Sequence, residues 1–553
     1  MTGPGSPWLL VLGLIPLAGA VVVGLLGLAG GSDELAKRLA LVTALVALGA
    51  AVVMGAQFQA HGEVFQFRTD VSWISEFGVR FSLGADGIAL VLLALTAVLV
   101  PVVVLSSWHE ADDGRRSVKT FFALILVLES LLFGVFAATD VFLFYVFFEA
   151  MLIPMYFLIG SYGGPKRSYA AVKFLLYSLI GGLLMLAAVI GLFVVSGSQL
   201  PDGKGTFDFA TLTTLHISPG IQAALFLGFF VAFAVKAPLF PFHTWLPDAG
   251  AESPTGGAVL LVGVLDKVGT FGMLRYCVPL FPDASRRFAP YILALALVGI
   301  LYGALVAVGQ RDLKRLVSYT SVAHFGFIAL GVFALTSQGG SGAVLYMVNH
   351  GLSTGALFLV VGILAARRGS RDIRAFGGAG KVAPWLGGAF LVAGLSSLAL
   401  PGLNSFVSEF LVLVGTFTRY RAVAVLATLG IVLAAIYILV AYQRTMQGPV
   451  RAGVERIADL TSREAWVLAP VLVLVVALGV YPKPLLDVIT PSVQRTLQQV
   501  DRSDPAPSAG SQTADRSPAA DVPAYPAGTG PFKPDGGRTP GLGDTANASG
   551  ASR

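Results

Sequence analysis

The chain has 553 residues, of which 55% are hydrophobic and only 12% are charged, and its formal net charge is +6. Because a soluble domain carries about 25% charged residues, this composition excludes an ordinary soluble protein. Apolar runs of about 20 residues recur, each long enough to cross a bilayer core of roughly 30 Å as a helix. The alternating polarity of a transmembrane barrel is not evident. The basic residues are dispersed among loops, which suits a membrane surface and predicts no nucleic-acid partner.

The hydropathy pattern predicts fourteen spans, with thirteen as the alternative because the fifth, sixth and seventh carry polar residues. The predicted spans are 8–30, 36–57, 86–106, 118–137, 140–160, 169–196, 220–241, 255–278, 290–308, 315–336, 342–366, 385–416, 423–443 and 464–481. No basic residue precedes the first run, which argues against a cleaved signal peptide. The single cysteine, Cys277, excludes a disulfide framework or a cysteine-ligated iron–sulfur cluster within the chain. From about Asp501 a polar tail is predicted to be disordered.

Loop charges predict the orientation of these spans. Lysine and arginine are concentrated in the loops that follow odd-numbered spans, so the positive-inside rule places those loops in the cytoplasm. Both termini then face the outer side, which requires an even number of spans and favours fourteen. The residues concerned are Lys37, Arg38, Arg115, Arg116, Lys119, Lys166, Arg167, Arg311, Lys314, Arg315, Arg367, Arg368, Arg371, Arg374, Lys381, Arg444, Arg451, Arg456 and Arg463.

Ionisable residues occur within otherwise apolar spans, where an unpaired charge costs about 2.5–3.5 kcal/mol on insertion scales. They are Glu149, Lys236, Lys267, His324, His350 and Glu409. A buried histidine can also be a satisfied core residue. Glu129 and Lys173 lie closer to predicted span ends, where a charged side chain can reach the interface instead. Because acids, bases and histidines placed through a membrane form proton relays, the set predicts proton transport.

Two spans are predicted to be broken. Pro238 follows Lys236 in the seventh span, and Pro401 interrupts the twelfth span before Glu409. Interrupted helices at matching places in two halves indicate an ion path between inverted repeats. We therefore expect five-helix repeats at spans 4–8 and 9–13. The resulting divisions are N-terminal helices at 1–117, repeats at 118–278 and 290–446, a last helix at 464–481 and the tail at 501–553.

At these residues the sequence resembles the antiporter-like subunits of complex I, the proton-pumping NADH:quinone oxidoreductase, and their relatives in multisubunit sodium/proton antiporters. The stretch "KAPLFPFHTWLPDA" is similar to the family's seventh-span motif, and "RDLKRLVSYTSVAHFGFI" to the start of its tenth span. The resemblance runs from roughly residue 80 to 480. It implies an all-α polytopic fold of about fourteen helices, two inverted five-helix repeats and a hydrated proton channel. Most members carry lysine where this chain has Glu409, whereas glutamate there is typical of one complex I subunit.

The resemblance also implies a role for each buried residue. Glu149 and Lys236 are expected to form an ion pair that gates the channel. Lys267 is expected at the centre, with the two histidines continuing the path and Glu409 ending it.

Two positions depart from the family pattern. Gly250 stands where the family often has histidine, so no proton role is assigned to it. Asp266 directly precedes Lys267, where an apolar residue is usual. Neighbouring residues on an α-helix point about 100° apart. Asp266 therefore either faces another helix or lowers the cost of burying Lys267, and the sequence leaves both possibilities open.

The predicted function is that of a proton-translocating membrane subunit, coupling electron transfer in other subunits to proton export across the bacterial plasma membrane. The chain has no nucleotide fingerprint, cluster ligands, metal site or quinone motif, so FMN, iron–sulfur clusters and quinone are expected in other subunits of the complex. The expected partners are the other membrane-arm subunits, especially flanking antiporter-like ones, and the lipid bilayer. Two alternatives are a cation/proton antiporter subunit, against which Glu409 argues, and a purely structural membrane scaffold.

Overall fold

The computed structural model describes residues 7–112, 114, 116–201 and 203–505, which are mostly helical. Thirteen helices within these ranges are long and apolar enough to cross a membrane. They are Trp8–Leu28, Asp33–Gln57, Gly87–Ser106, Val118–Ala137, Val141–Tyr162, Arg167–Gln199, Pro219–Lys236, Thr255–Leu280, Pro282–Val308, Leu313–Phe333, Ser337–Arg368, Arg421–Met446 and Ser462–Val480. Two shorter helices, Pro384–Ser397 and Asn404–Arg419, together form the predicted twelfth span. With that two-part helix as span 12, we number the spans 1–14 in chain order, and the predicted fold class is confirmed.

Spans 7 and 12 are interrupted near the prolines that predicted a break. The helix of span 7 ends at Lys236, and an irregular segment at 237–245 leads to the short helix Leu246–Glu252. The predicted span 220–241 therefore extended too far, because Pro238 cannot continue a helix. In span 12 the segment 398–403 is not helical, and its Gly402 adopts a φ of +93°, a region that favours glycine.

Span 8 departs from a uniform α-helix in a way that the sequence did not predict. Two π-helical turns, Leu261–Leu265 and Met273–Cys277, flank the α-helical segment Lys267–Gly272. All of these residues are buried within the bundle. A π-helical turn is rare and occurs frequently at functional sites. Here the first of them immediately precedes the Asp266–Lys267 pair.

Two elements outside the spans were not predicted. An antiparallel hairpin of Gln66–Ile74 and Val79–Ala85 lies between spans 2 and 3. An amphipathic helix, Lys483–Gln498, follows span 14. Neither element could be predicted from the hydropathy pattern, because neither contains a long apolar run. A Cβ at Gly87 would meet the backbone of this last helix, and Arg495 Nη2 donates to Gly62 O at 2.9 Å. The described chain also contains short helical segments at Phe209–Leu212, Ala379–Val382, Ser75–Phe77 and Ile373–Ala375.

Loops that follow odd-numbered spans contact one another, and segments that follow even-numbered spans contact one another. Lys37 at the start of span 2 pairs with Asp112 after span 3 at 2.7 Å, and Arg371 after span 11 pairs with Asp312 before span 10 at 3.0 Å. All four residues belong to loops or span ends that were predicted to be cytoplasmic. Arg495 in the last helix, after span 14, instead contacts Gly62 in the loop after span 2. The segments that follow the second and the last span thus lie together, as an even number of spans requires.

The predicted tail at 501–553 lies mostly outside the described residues, which end at 505. Its first residues contact the bundle, since the Ser337 backbone N–H donates to Asp504 Oδ1 at 2.8 Å. Residues 7–505 belong to one unit. The domain boundaries at 117, 278, 290 and 446 stay predictions.

Candidate functional site: a buried chain of ionisable side chains

Glu149 lies at the end of the first helical segment of span 5, which is interrupted at Met151. Its carboxylate occupies space beside Gly182 of span 6, where a Cβ would overlap Oε1. Oε1 is buried and has no hydrogen-bond partner among the described residues. The absence of a side chain at position 182 therefore creates the place in which this carboxylate sits.

Lys236 is the last residue of the helix of span 7 and is 1% exposed. Its Nζ has no hydrogen-bond partner in the described chain and lies over the rings of Phe148 and Phe174, 4.9 and 5.6 Å from their centroids. The expected Glu149–Lys236 ion pair is therefore not formed in this structure, because the ammonium group faces aromatic rings. The two charges remain within range of a direct electrostatic interaction.

Replacement of Gly182 by alanine tests this arrangement. The added methyl group would overlap the Glu149 carboxylate, and overpacking of this kind costs typically about 1–3 kcal/mol. We expect Gly182→Ala to lower proton pumping in membrane vesicles as Glu149→Ala does. Gly220→Ala in span 7 is the control, since a Cβ there meets open space. Wild-type pumping by Gly182→Ala would contradict the position assigned to Glu149.

His243, in the irregular segment of span 7, was quoted in the sequence only as part of a motif. It is 2% exposed, and neither ring nitrogen has a hydrogen-bond partner among the residues described. Its ring lies 5.8 Å from that of Phe240, 5.1 Å from Tyr302 and 6.4 Å from Tyr319, between centroids. A buried imidazole with two free nitrogens beside the helix break is a further candidate proton carrier.

Ion pairs hold the short helix that follows this break. Lys173 Nζ lies 2.7 Å from Asp248 Oδ2, and Arg315 pairs with the other carboxylate oxygen. Burial of Asp248 alone would raise its pKa, but the hydrogen bonds from Lys173 and Arg315 outweigh burial and hold that pKa below its ordinary value. Lys173, for which the sequence left two interpretations open, therefore has a partner at the end of its span.

Glu129 lies in the middle of span 4 rather than near its end. The residue is 0% exposed, and neither carboxylate oxygen has a hydrogen-bond partner within the described ranges. No charged group interacts with it there.

Lys267 is the centre of a fully buried cluster. Its Nζ donates to Val262 O, lies 3.1 Å from Asp266 Oδ1 and lies 2.6 Å from Nδ1 of His350. The ring of Phe325 covers the ammonium group at 5.2 Å. The cluster therefore joins span 8 to span 11 through a direct hydrogen bond between two ionisable side chains.

Close backbone packing brings these two spans together. A Cβ at Gly263 in span 8 would contact Leu99, and a Cβ at Gly351 in span 11 would meet the carbonyl oxygen of Gly263 at 2.6 Å. Small residues at helix crossings allow backbones to approach closely within a membrane. Because Gly351 follows His350 directly, this approach positions the imidazole beside Lys267.

The series of contacts between ionisable side chains continues from span 11 to span 10. The rings of His350 and His324 are 5.3 Å apart between centroids and nearly perpendicular, at 82°. His324 Nε2 lies 3.5 Å from the hydroxyl of Tyr437 in span 13. The structure thus brings both predicted histidines together and places His350 nearer to Lys267.

Tyrosines connect this part of the cluster to Glu409. The hydroxyl of Tyr346 donates to Glu409 Oε2 at 2.9 Å, and its ring lies 5.8 Å from that of His324. Glu409 is 5% exposed. Tyr346 and Tyr437 were not predicted from the sequence, because a tyrosine in an apolar helix is usually a core residue. One signal was present, since residues four apart lie on the same helix face and Tyr346 is four residues before His350.

Polar side chains surround the break in span 12. Asn349 Nδ2 donates to Asn404 O at 2.7 Å, and Ser353 Oγ lies 2.5 Å from Ser396 Oγ and 3.1 Å from Asn404 Oδ1. Non-helical backbone at membrane depth is tolerated where it is buried in protein, because neighbouring polar groups satisfy it. The break therefore places a polar region next to the path that ends at Glu409.

Comparison with known proteins gives consistent matches over nearly the whole chain. Residues 138–436 match the family model described as NADH:quinone oxidoreductase/Mrp antiporter, TM. NADH-quinone oxidoreductase subunit M of Mycobacterium tuberculosis is 51% identical over 535 residues, covering 91% of this chain and 96% of the relative. The subunit of the same name from Rhodobacter capsulatus is 40% identical over 496 residues, covering 88% and 96%.

A solved structure agrees with these sequence matches. A chain of respiratory complex I from Thermus thermophilus with bound NADH has a TM-score of 0.81 and 32% sequence identity, covering 89% of this chain and 99% of that one. The matches include both the first and the second half of the buried path. The chain therefore belongs to the NADH:quinone oxidoreductase/Mrp antiporter transmembrane family.

Proposed function

We propose that this chain is a proton-translocating membrane subunit of an NADH:quinone oxidoreductase, of the kind named subunit M in its relatives. In this function, electron transfer from NADH to quinone in other subunits drives proton export through the buried side chains. The observation that carries the proposal is the contact series from Lys267 through His350 and His324 to the Tyr346–Glu409 hydrogen bond.

The geometry suits proton transfer from Lys267 towards Glu409. A proton can move from Lys267 Nζ to His350 Nδ1 along their 2.6 Å contact, because one group is a donor and a neutral imidazole nitrogen is an acceptor. The perpendicular His324 ring is the next carrier, and Glu409 is the terminal acceptor. On the other side, Lys236 Nζ has no hydrogen-bond partner within the described ranges. Transfer from Lys236 to Lys267 therefore requires a rearrangement, which is the step that redox work would drive.

The family supports a place for the chain among other subunits. We propose that it lies in the membrane arm of the complex beside other antiporter-like subunits, and that FMN, iron–sulfur clusters and quinone are bound elsewhere in the complex. We also propose that the membrane is the bacterial plasma membrane, with both termini on the outer face. The concentration of basic residues in loops after odd-numbered spans supports this orientation.

Purification of the tagged chain from native membranes tests the proposal. We expect NADH:quinone oxidoreductase activity to copurify with it, and the reconstituted assembly to acidify vesicles when NADH and quinone are supplied. The alternative is a cation/proton antiporter subunit, since the matching family includes such proteins. Sodium-stimulated proton transport by the purified assembly, without redox activity, would establish that alternative and overturn the proposal.

A further inference from the structure

Asp266 and Lys267 form an ion pair between neighbouring residues at the centre of the path. Asp266 Oδ1 lies 3.1 Å from Lys267 Nζ, and both side chains are 0% exposed. The other oxygen, Oδ2, has no hydrogen-bond partner in the described part of the chain. Among the described residues, Asp266 is also the one carboxylate that contacts Lys267. The Asp266 carboxylate therefore compensates the buried positive charge of Lys267 by direct contact.

Lys267 reaches the adjacent Asp266 because its long side chain folds back over the π-helical turn at Leu261–Leu265. The Asp266 backbone N–H donates to Leu261 O, five residues earlier, at 3.1 Å. Lys267 Nζ donates to the carbonyl of Val262, which also lies five residues earlier. The lysine side chain thus folds back along its own helix towards Asp266. Of the two possibilities that the sequence left open, the structure selects the one in which Asp266 lowers the cost of burying Lys267.

The charge of this cluster depends on how many protons it holds. With Asp266 ionised, Lys267 protonated and His350 neutral, the net charge is zero. Breaking a Lys267 Nζ–H bond and forming His350 Nδ1–H leaves that net charge unchanged. When the proton moves on to His324, the carboxylate is left without a neighbouring positive charge, and an uncompensated charge in a buried site is strongly unfavourable.

We propose that Asp266 is a positioning residue that keeps the central site protonated. A proton then leaves towards Glu409 only as another reaches Lys267. This inference deepens the proposed function and rests on it. The arriving proton restores the Lys267 Nζ–H bond and with it the ion pair. With an apolar residue at position 266, the site would be neutral after it lost its proton. That proton could therefore leave before another proton arrived.

Substitution of Asp266 in the intact complex tests the inference. The measured quantity is the number of protons transported per NADH oxidised by membrane vesicles, which is independent of how much complex is present. We expect Asp266→Asn to lower this ratio towards that of Lys267→Met, and Asp266→Glu to restore most of it. Asp266→Leu, which also removes the unpartnered oxygen, serves if Asp266→Asn does not assemble. A wild-type ratio in an assembled variant without the carboxylate would overturn the inference.

A double substitution distinguishes a charge effect from a packing effect. Lys267→Met leaves Asp266 buried without its partner, and removing one member of a buried ion pair is strongly destabilising. We therefore expect less assembled complex in Lys267→Met than in the variant that also carries Asp266→Asn. Equal losses from Asp266→Asn in both backgrounds would mean that the residue only packs, and would contradict the inference.

The same variants separate this inference from the proposed function. If the assembled Lys267→Met complex pumps as the wild type does, the proposed proton path itself is wrong. If Lys267→Met does not pump and Asp266→Asn pumps normally, the path stands and only the role of Asp266 is wrong.

Discussion

Substitution of Lys236 by alanine is expected to lower the proton pumping carried by this chain by about a hundredfold or more, since loss of a positioned proton-transfer group costs roughly 10²–10⁴ in rate. Its Nζ lies over the Phe148 and Phe174 rings and contacts no other described hydrogen-bonding group. Among the described residues, Lys236 is the cation that lies over these two rings. Acidification of inverted membrane vesicles on addition of NADH is the measurement.

Lys236→Arg is expected to be milder. Arginine keeps the positive charge and its attraction to the aromatic rings, but it does not release its proton. Pumping should therefore exceed that of Lys236→Ala without reaching the wild-type rate. Lys483→Ala is the matched control, because that lysine is 65% exposed and pairs with Asp487 on the surface. Unchanged pumping in Lys236→Ala would favour the reading of the chain as a structural scaffold.

The second large effect is expected at the other end of the path. Glu409→Gln keeps the shape of the side chain and can still accept the Tyr346 hydrogen bond, which spans 2.9 Å in the wild type. Glutamine cannot take up a proton, so transfer should stop at His324 and pumping should fall as severely as in Lys236→Ala. Proton uptake by vesicles, normalised to the amount of assembled complex, measures this.

Two further variants show whether the proton itself matters at Glu409. Tyr346→Phe removes the hydrogen bond but leaves the carboxylate, so we expect a smaller loss of pumping. Glu34→Gln is the control, because Glu34 is an exposed surface residue that pairs with Arg38. Greater damage from Tyr346→Phe than from Glu409→Gln would show that the contact series does not end at Glu409.

Much of the fold could be predicted because the bilayer imposes simple requirements on sequence. Span lengths follow from the thickness of the apolar layer, and both helix breaks follow from the chemistry of proline. Span 12 illustrates this: its two helices are each short, yet the apolar run on both sides of Pro401 identified them as one span. The hairpin at 66–85 and the helix at 483–498 lie outside the bilayer pattern and were missed.

The residues of the candidate site could be predicted, but the contacts between them could not. All six ionisable residues lie within spans, because an ionisable residue in an apolar run stands out in a sequence. Their contacts depend on helix packing and local helix type, which composition does not record. Neighbouring residues on an α-helix point about 100° apart, yet Asp266 and Lys267 meet because the lysine side chain folds back towards Val262 O. The position of Lys236 over aromatic rings could likewise not be predicted, since phenylalanines occur throughout the spans.

The ammonium group of Lys236, which has no hydrogen-bond partner among the described residues, bears on how well the membrane insulates electrically. Moving one elementary charge across 100 mV releases about 2.3 kcal/mol. A side-chain series joined from one face to the other would let exported protons run back down this potential. In the proposed path, the aromatic surroundings of Lys236 interrupt the series before Lys267, so return flow would be blocked in this conformation. The gap that requires a driven rearrangement for export would thereby also preserve the voltage that export creates.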